Sequence, residues 1–453
     1  MSEVAGVARA MLESEARALL ARLERLTPFA LHETMVPAAA LSSAAQRAIE
    51  RYLIAGRDEL RSRTVSYLRW LERDGRSASP AQMQRRFVLI RLRFNDVLSQ
   101  FDLFADAITQ RSEHETGVYL SGLDVASADG LRLDGNYFAA PPVVCYLDRG
   151  PGAAIRRART RMPGGGENPV AIVRVPRERM IGHGIASSLF HEVGHQVSAL
   201  LELVPSLQPE LAKQIASAGN ERRAAWTLWS RWISEIVADV WSVSRVGLAS
   251  TLGLIGVVSL PTWFVFRINP DDPHPAPWVR VMLSASVGEA LYPHPQWAEI
   301  RQLWTNLYPL THLDTARRTL IESLLATMPN LVGLLMRHRP PKLRGRSLLD
   351  VARLADRTPQ RLDELQARWG SKPERMRTAS PVLVFAVVGQ ARARGSITPE
   401  REATVLRRML TYWAFRSSLG VAAPIVAGQP VPYRRFHGLP ARAATPDRLQ
   451  LIS

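Results

Sequence analysis

The chain has 453 residues, 46% of them apolar, with 58 Lys+Arg against 41 Asp+Glu and a formal net charge of +17. That balance describes a globular protein with a sizeable core and excludes disordered, collagen-like and coiled-coil classes. A single cysteine, Cys145, excludes a disulfide framework and any cysteine-based zinc finger, so a metal would have to be held by His and carboxylates.

The N-terminus, Met1-Ser-Glu-Val-Ala-Gly, has neither the basic nor the apolar region of a secretory signal, which points to a cytoplasmic protein. Residues 1–112 predict a helical bundle. Met83, Phe87, Ile90, Phe94, Val97, Phe101, Phe104 and Ile108 recur in steps of three and four, one apolar stripe along a helix of about seven turns. From Gly117 the pattern turns towards β. Gly117-Val-Tyr-Leu, Val143 to Leu147 and Val170 to Val175 read as short strands of a small sheet, punctuated by Gly, Asp and Pro. Met162 to Pro169 reads as a flexible loop. A glycine triplet leading into a strand sets no helix N-terminus against a phosphate, so it is not a nucleotide cradle.

Residues 185–330 and 331–423 read as mainly helical, followed by a Pro/Arg-rich tail over 424–453. Residues 246–266 carry no charge and are long enough to span a membrane. Gly247, Gly253, Gly256 and Pro261 interrupt the stretch, and it lies between two motifs of one site. A buried helix or helical hairpin is therefore expected, and a membrane span is not favoured.

The chemistry concentrates in His191-Glu192-Val-Gly-His195, inside an amphipathic helical run. Two His four residues apart stand on one helical face and can reach one Zn²⁺, while Glu192 projects beside it as a general base and acid. Forty residues on, Trp232-Ile-Ser-Glu235-Ile-Val-Ala-Asp239-Val-Trp241 sets two carboxylates one turn apart on an otherwise apolar helix. Burying them demands partners. Glu235 is the expected third ligand, and Asp239 is placed to accept the Nδ1–H of His191. The competing expectation for this face is an ion pair with Arg231 or Arg245.

His191-Glu192-x-x-His195 with Glu235-x-x-Ala238-Asp239 resembles the gluzincin metallopeptidases, and locally the CAAX-prenyl and heat-shock membrane endopeptidase families. Asp272-Pro-His274-Pro-Ala-Pro277-Trp-Val-Arg280 is similar to a further segment of those families. The resemblance covers about residues 170–290. It implies a zincin-like core, placed at 113–330, and leaves both flanking regions unexplained; with the helical regions read on either side, the fold expected is α+β and mainly α-helical. It also implies one zinc ion on His191, His195 and Glu235, a peptide or protein substrate, His274 on the oxyanion and Arg280 as support. The spanning helices of those membrane families have no counterpart here beyond 246–266. Zincin clefts are bordered by an edge strand just before the motif helix, which would be Val170, Ile172 and Arg174. His183 and His294 are expected to be structural.

The excess charge is local. Residues 331–453 hold 22 Lys+Arg and 8 Asp+Glu, a net of +14, which leaves +3 for residues 1–330. The C-terminal region is thus expected to dock an acidic partner or anionic surface. A protein that keeps the fold only for such docking is the alternative to an enzyme, although it would have no need of Glu192. Nucleic-acid binding is not expected, since no zinc-finger, homeodomain or RNP-like pattern accompanies the basic runs. Arg156-Arg157-Ala-Arg159-Thr-Arg161, beside the expected edge strand, would favour acidic peptides.

Overall fold

The computed structural model describes residues 3–148, 153–162, 166–176, 183–269, 271–371 and 374–426. Helices α1 (Glu3–Arg25), α2 (Ser43–Glu72) and α3 (Pro80–Thr109) form the N-terminal bundle. Ser42 caps α2 by accepting the Ala45 N–H, and Ser79 with Gln82 makes a reciprocal capping box ahead of Pro80 on α3. Every member of the predicted α3 stripe, Met83 to Ile108, is buried against apolar residues of α1 and α2.

Helix α4 (His114–Gly130) occupies the stretch expected as a first strand. Residues 117–123 are all buried, so this helix shows no polar face and no 3.6-residue period, and a short apolar run then reads equally well as strand. Its glycines are contact points. A Cβ at Gly122 would collide with the Leu410 carbonyl, so only glycine lets α4 lie this close to the C-terminal helix.

Strands β1 (Val143–Asp148), β2 (Ala154–Arg156) and β3 (Ala171–Pro176) form one sheet in the order β1-β3-β2, with β1 parallel and β2 antiparallel to β3. Two of the three expected strands are therefore present. The Val170–Val175 run is not the edge expected of it: β3 is central. The outer edge of β1 is closed by side chains, since Asp124 accepts the Cys145 N–H, Gln110 brackets Leu147 through both its amide atoms, and Arg111 donates to the Cys145 carbonyl. Among the described residues β2 pairs only with β3, which makes it the open edge. Alternation along the strands sends Val144 and Ile172 into the bundle core. Cys145, Leu147, Val173 and Val175 go into the main core, so the sheet is the seam between the two.

The main body follows: α5 (His183–Leu200), α6 (Leu203–Ser217), α7 (Asn220–Val246), α8 (Leu248–Val258), α9 (Thr262–Val265), α10 (Pro277–Leu291), α11 (Gln296–Leu307) and α12 (Thr315–Arg337). It is completed by α13 (Leu348–Ala352), α14 (Pro359–Ser371), α15 (Glu374–Thr378), α16 (Pro381–Ala393) and α17 (Pro399–Val426). The expected division at 330/331 falls inside α12, and one core runs from Tyr119 to Trp413. The C-terminal region is thus part of this body: α16 packs on α7 and α8, and α17 on α4.

The uncharged stretch 246–266 breaks at Gly247, whose φ is +58°, and again before Pro261. Its α8 packs against α5 and α16. Among the described residues one helix, α12, is long and apolar enough to cross a membrane, and 44% of that window is buried inside the protein. Pro163, Gly164 and Gly165 of the expected glycine-rich loop and the tail beyond 426 lie outside the described residues. Among the described residues the architecture is mainly helical with one small sheet.

Candidate metal centre

Helices α5 and α7 meet at backbone distance. A Cβ at Gly194 would stand 2.8 Å from the Ala238 carbonyl oxygen and 2.9 Å from its Cα, so glycine between the two histidines sets the approach of the helices. With that approach fixed, the i, i+4 pairs on the two helices face each other. His191 Nε2 lies 3.1 Å from Glu235 Oε2 and 3.2 Å from His195 Nε2, and His195 Nε2 lies 3.4 Å from Glu235 Oε1.

A second set of contacts holds this one. Asp239 Oδ1 is 2.8 Å from His191 Nδ1, as the spacing predicts. Arg280, at the start of α10, grips the same carboxylate with both Nε (2.7 Å) and Nη2 (2.8 Å). Burial disfavours the charged form of His191, but Asp239 and Glu235 outweigh it and push its pKa up to about 9. Burial likewise opposes ionisation of Glu235 and Asp239. The facing His and Arg groups overcome it and hold both well below the usual carboxylate range.

The donor chemistry fits a metal ion. When Asp239 accepts a hydrogen bond from the Nδ1–H of a neutral His191, Nε2 keeps a bare lone pair, aimed at the His195 ring and the Glu235 carboxylate. Three possible ligand atoms lie within 4.8 Å of one another on residues largely withdrawn from water, a setting in which the Glu235 carboxylate needs a positive partner, either a proton on His191 or a metal ion that displaces it. Donors 2.0–2.1 Å from one ion at tetrahedral angles stand about 3.3 Å apart, close to the separations found here. His191, His195 and Glu235 could therefore hold a metal ion.

Glu192 is 7% exposed and makes no hydrogen bond or ion pair among the described residues. His274 Nε2 stands 3.3 Å from Glu235 Oε2, at the rim of the cluster, and its Nδ1 is 2.8 Å from Asp272 Oδ1. The same oxygen accepts the His274 backbone N–H at 3.0 Å, an Asx-type turn that fixes the ring. The alternative partners for the carboxylates are engaged elsewhere: Arg231 approaches Asp271 at 3.9 Å, and Arg245 lies over the Trp241 ring.

Val170, Ile172 and Arg174 do not line an open edge. Val170 and Ile172 are buried, and Arg174 lies 3.7 Å from Asp148. The strand that is open, β2, packs against α5, and the chain leaving it is tethered there by the Ala158 N–H to Gln196, the neighbour of His195. His294 accepts the Gln296 N–H in a local turn. The side chain of His183 lies outside the described residues.

Two residues of this centre went unread in the sequence. Gly194 is hidden in a position the His-Glu-x-x-His pattern leaves free. Asp272 was signalled only by its place two residues before a histidine, the spacing of a side-chain-to-backbone turn.

Comparison with protein-family models, with curated proteins and with solved structures gives no match for this chain.

Proposed function

We propose that the chain is a zinc-dependent metallopeptidase of the gluzincin type, hydrolysing peptide bonds in a zincin-like core. The observation that carries this reading is the convergence of His191, His195 and Glu235, with Glu192 next to the first of them making no hydrogen bond or ion pair among the described residues. Zinc bound there supplies a Lewis acid that acidifies water and polarises the scissile carbonyl. Glu192 takes the proton from the attacking water and passes it to the leaving amine nitrogen as the C–N bond breaks. Asp239 and Arg280 keep His191 in one tautomer and orientation. Asp272 fixes the His274 ring through its Nδ1 and its backbone N–H, which turns the Nε2 edge towards the rim of the cluster where the oxyanion would form. The open edge of β2 offers main-chain hydrogen bonds to an extended peptide, and the exposed Arg156 and Arg157 favour acidic residues in it.

The test pairs metal analysis of the purified chain with cleavage of a peptide library by wild type and Glu192→Gln. The expected outcome is about one zinc per chain in both proteins, with cleavage reduced by roughly 10²–10⁴ in the variant. Equal cleavage by the two proteins contradicts the assignment.

A further inference from the structure

The C-terminal end of α7 borders a second polar cavity, of about 590 Å³, shared with α13, the turn that follows it and the loop after α4. Five guanidiniums line it: Arg132, Arg245, Arg346, Arg353 and Arg357. Most of the facing carboxylates are committed. Asp350 caps α13 through Ser347, Asp356 pairs with Arg357 at 2.8 Å, and Asp129 accepts the Val382 N–H and lies 3.7 Å from Arg132. Asp134 remains. On the other side of the balance, Arg346 donates only to the Asp350 backbone carbonyl, and Arg353 makes no ion pair among the described residues.

Arg245 is the informative member. It is 5% exposed and stacked 3.8 Å above the Trp241 ring, and its Nε and Nη2 are buried with no hydrogen-bond partner. Buried guanidinium N–H groups are normally satisfied, because a charge taken out of water without an acceptor is destabilising. Arg357 adds to the demand, since it is 4% exposed and donates through Nε to the Arg245 carbonyl.

We propose that this cavity binds the phosphate group of a small phosphorylated molecule, with Arg245 at its inner wall and Arg346 and Arg353 at its mouth. The lining carries five guanidiniums against four carboxylates, and once Arg132 is paired with Asp129 and Arg357 with Asp356, three guanidiniums face the charges of Asp134 and Asp350, an excess of positive charge that a phosphate anion offsets. Guanidinium forks suit phosphate oxygens geometrically as well as electrostatically. The volume exceeds that of phosphate and leaves room for an organic portion. In the basic run Arg337-His-Arg339-Pro-Pro-Lys342-Leu-Arg344-Gly-Arg346, Arg346 is the one member that lines the cavity. The site uses none of the metal-centre residues and does not depend on the peptidase reading.

The experiment titrates inorganic phosphate and pyrophosphate into the full chain at constant ionic strength, followed by calorimetry and by thermal unfolding. Saturable binding with one site per chain and a raised Tm is expected. The double variant Arg346→Gln/Arg353→Gln changes only exposed side chains, so its folding is not at risk, and it should weaken binding about tenfold or more. Arg245→Lys, which keeps the charge but loses the fork, should weaken it as well. Arg339→Gln, in the same basic run but outside the cavity, should leave it unchanged. Absence of saturable binding by either anion, undiminished binding in the double variant, or equally tight binding of citrate would overturn the proposal.

Discussion

Two stations on α7 pose opposite problems. At Glu235 and Asp239 the helix meets lone pairs, and at Arg245, less than three turns further on, it meets buried N–H donors without acceptors. At the first station the carboxylates of Glu235 and Asp239 face His191, His195 and Arg280, and three atoms converge where a cation could sit. At the second the protein supplies an aromatic face but too few oxygens. The difference teaches that a low-dielectric helix tolerates charge of either sign only with a counter-charge. Where the chain does not provide one, the deficit specifies the sign of what binds.

Breaking the first station should have the largest effect. Glu235→Ala removes an anionic ligand and should abolish stoichiometric zinc binding, read by metal analysis after dialysis. Chelation of the wild type should lower its Tm, and added zinc should restore it. Asp239→Asn keeps the shape but loses the charge that orients His191 and anchors Arg280. Zinc affinity should fall by about 10–100-fold in a competition titration.

Gly194→Ala tests the approach of the helices rather than the charges. Its Cβ would collide with the Ala238 backbone. Urea unfolding should show a loss of about 1–3 kcal/mol, together with weaker zinc binding. The smallest effect is expected at the second station. Arg245→Met replaces a buried, incompletely paired cation by an apolar side chain, and without added anion the stability should be unchanged or slightly raised in the same unfolding experiment. A loss as large as that expected for Gly194→Ala would erase the contrast between the stations.

The first station was legible in the sequence because helical spacing is a local code: His191/His195 and Glu235/Asp239 each announce one face at i, i+4. Even the Nδ1 contact to Asp239 follows from one further turn. What spacing does not encode is order in space. The run at 170–176 was recognisable as a strand, but its place at the centre of the sheet depends on β2, three residues long, and on side chains from α3 and α4 that seal β1. Gly117 to Leu120 misled for a related reason, since a helix buried on all sides loses its periodic signature.

Nor does charge counting reveal burial. The surplus of +14 over 331–453 suggested a separate docking region, whereas α12 runs through the expected boundary and α16 and α17 complete the main core. The second station stayed invisible because its guanidiniums come from segments more than two hundred residues apart in the chain.

The most direct test of the account is the Glu192→Gln comparison on zinc-loaded protein. Retained stoichiometric zinc with peptide cleavage lowered by roughly 10²–10⁴ is the predicted result. Full zinc occupancy with no cleavage by either protein, or with equal cleavage by both, would contradict it.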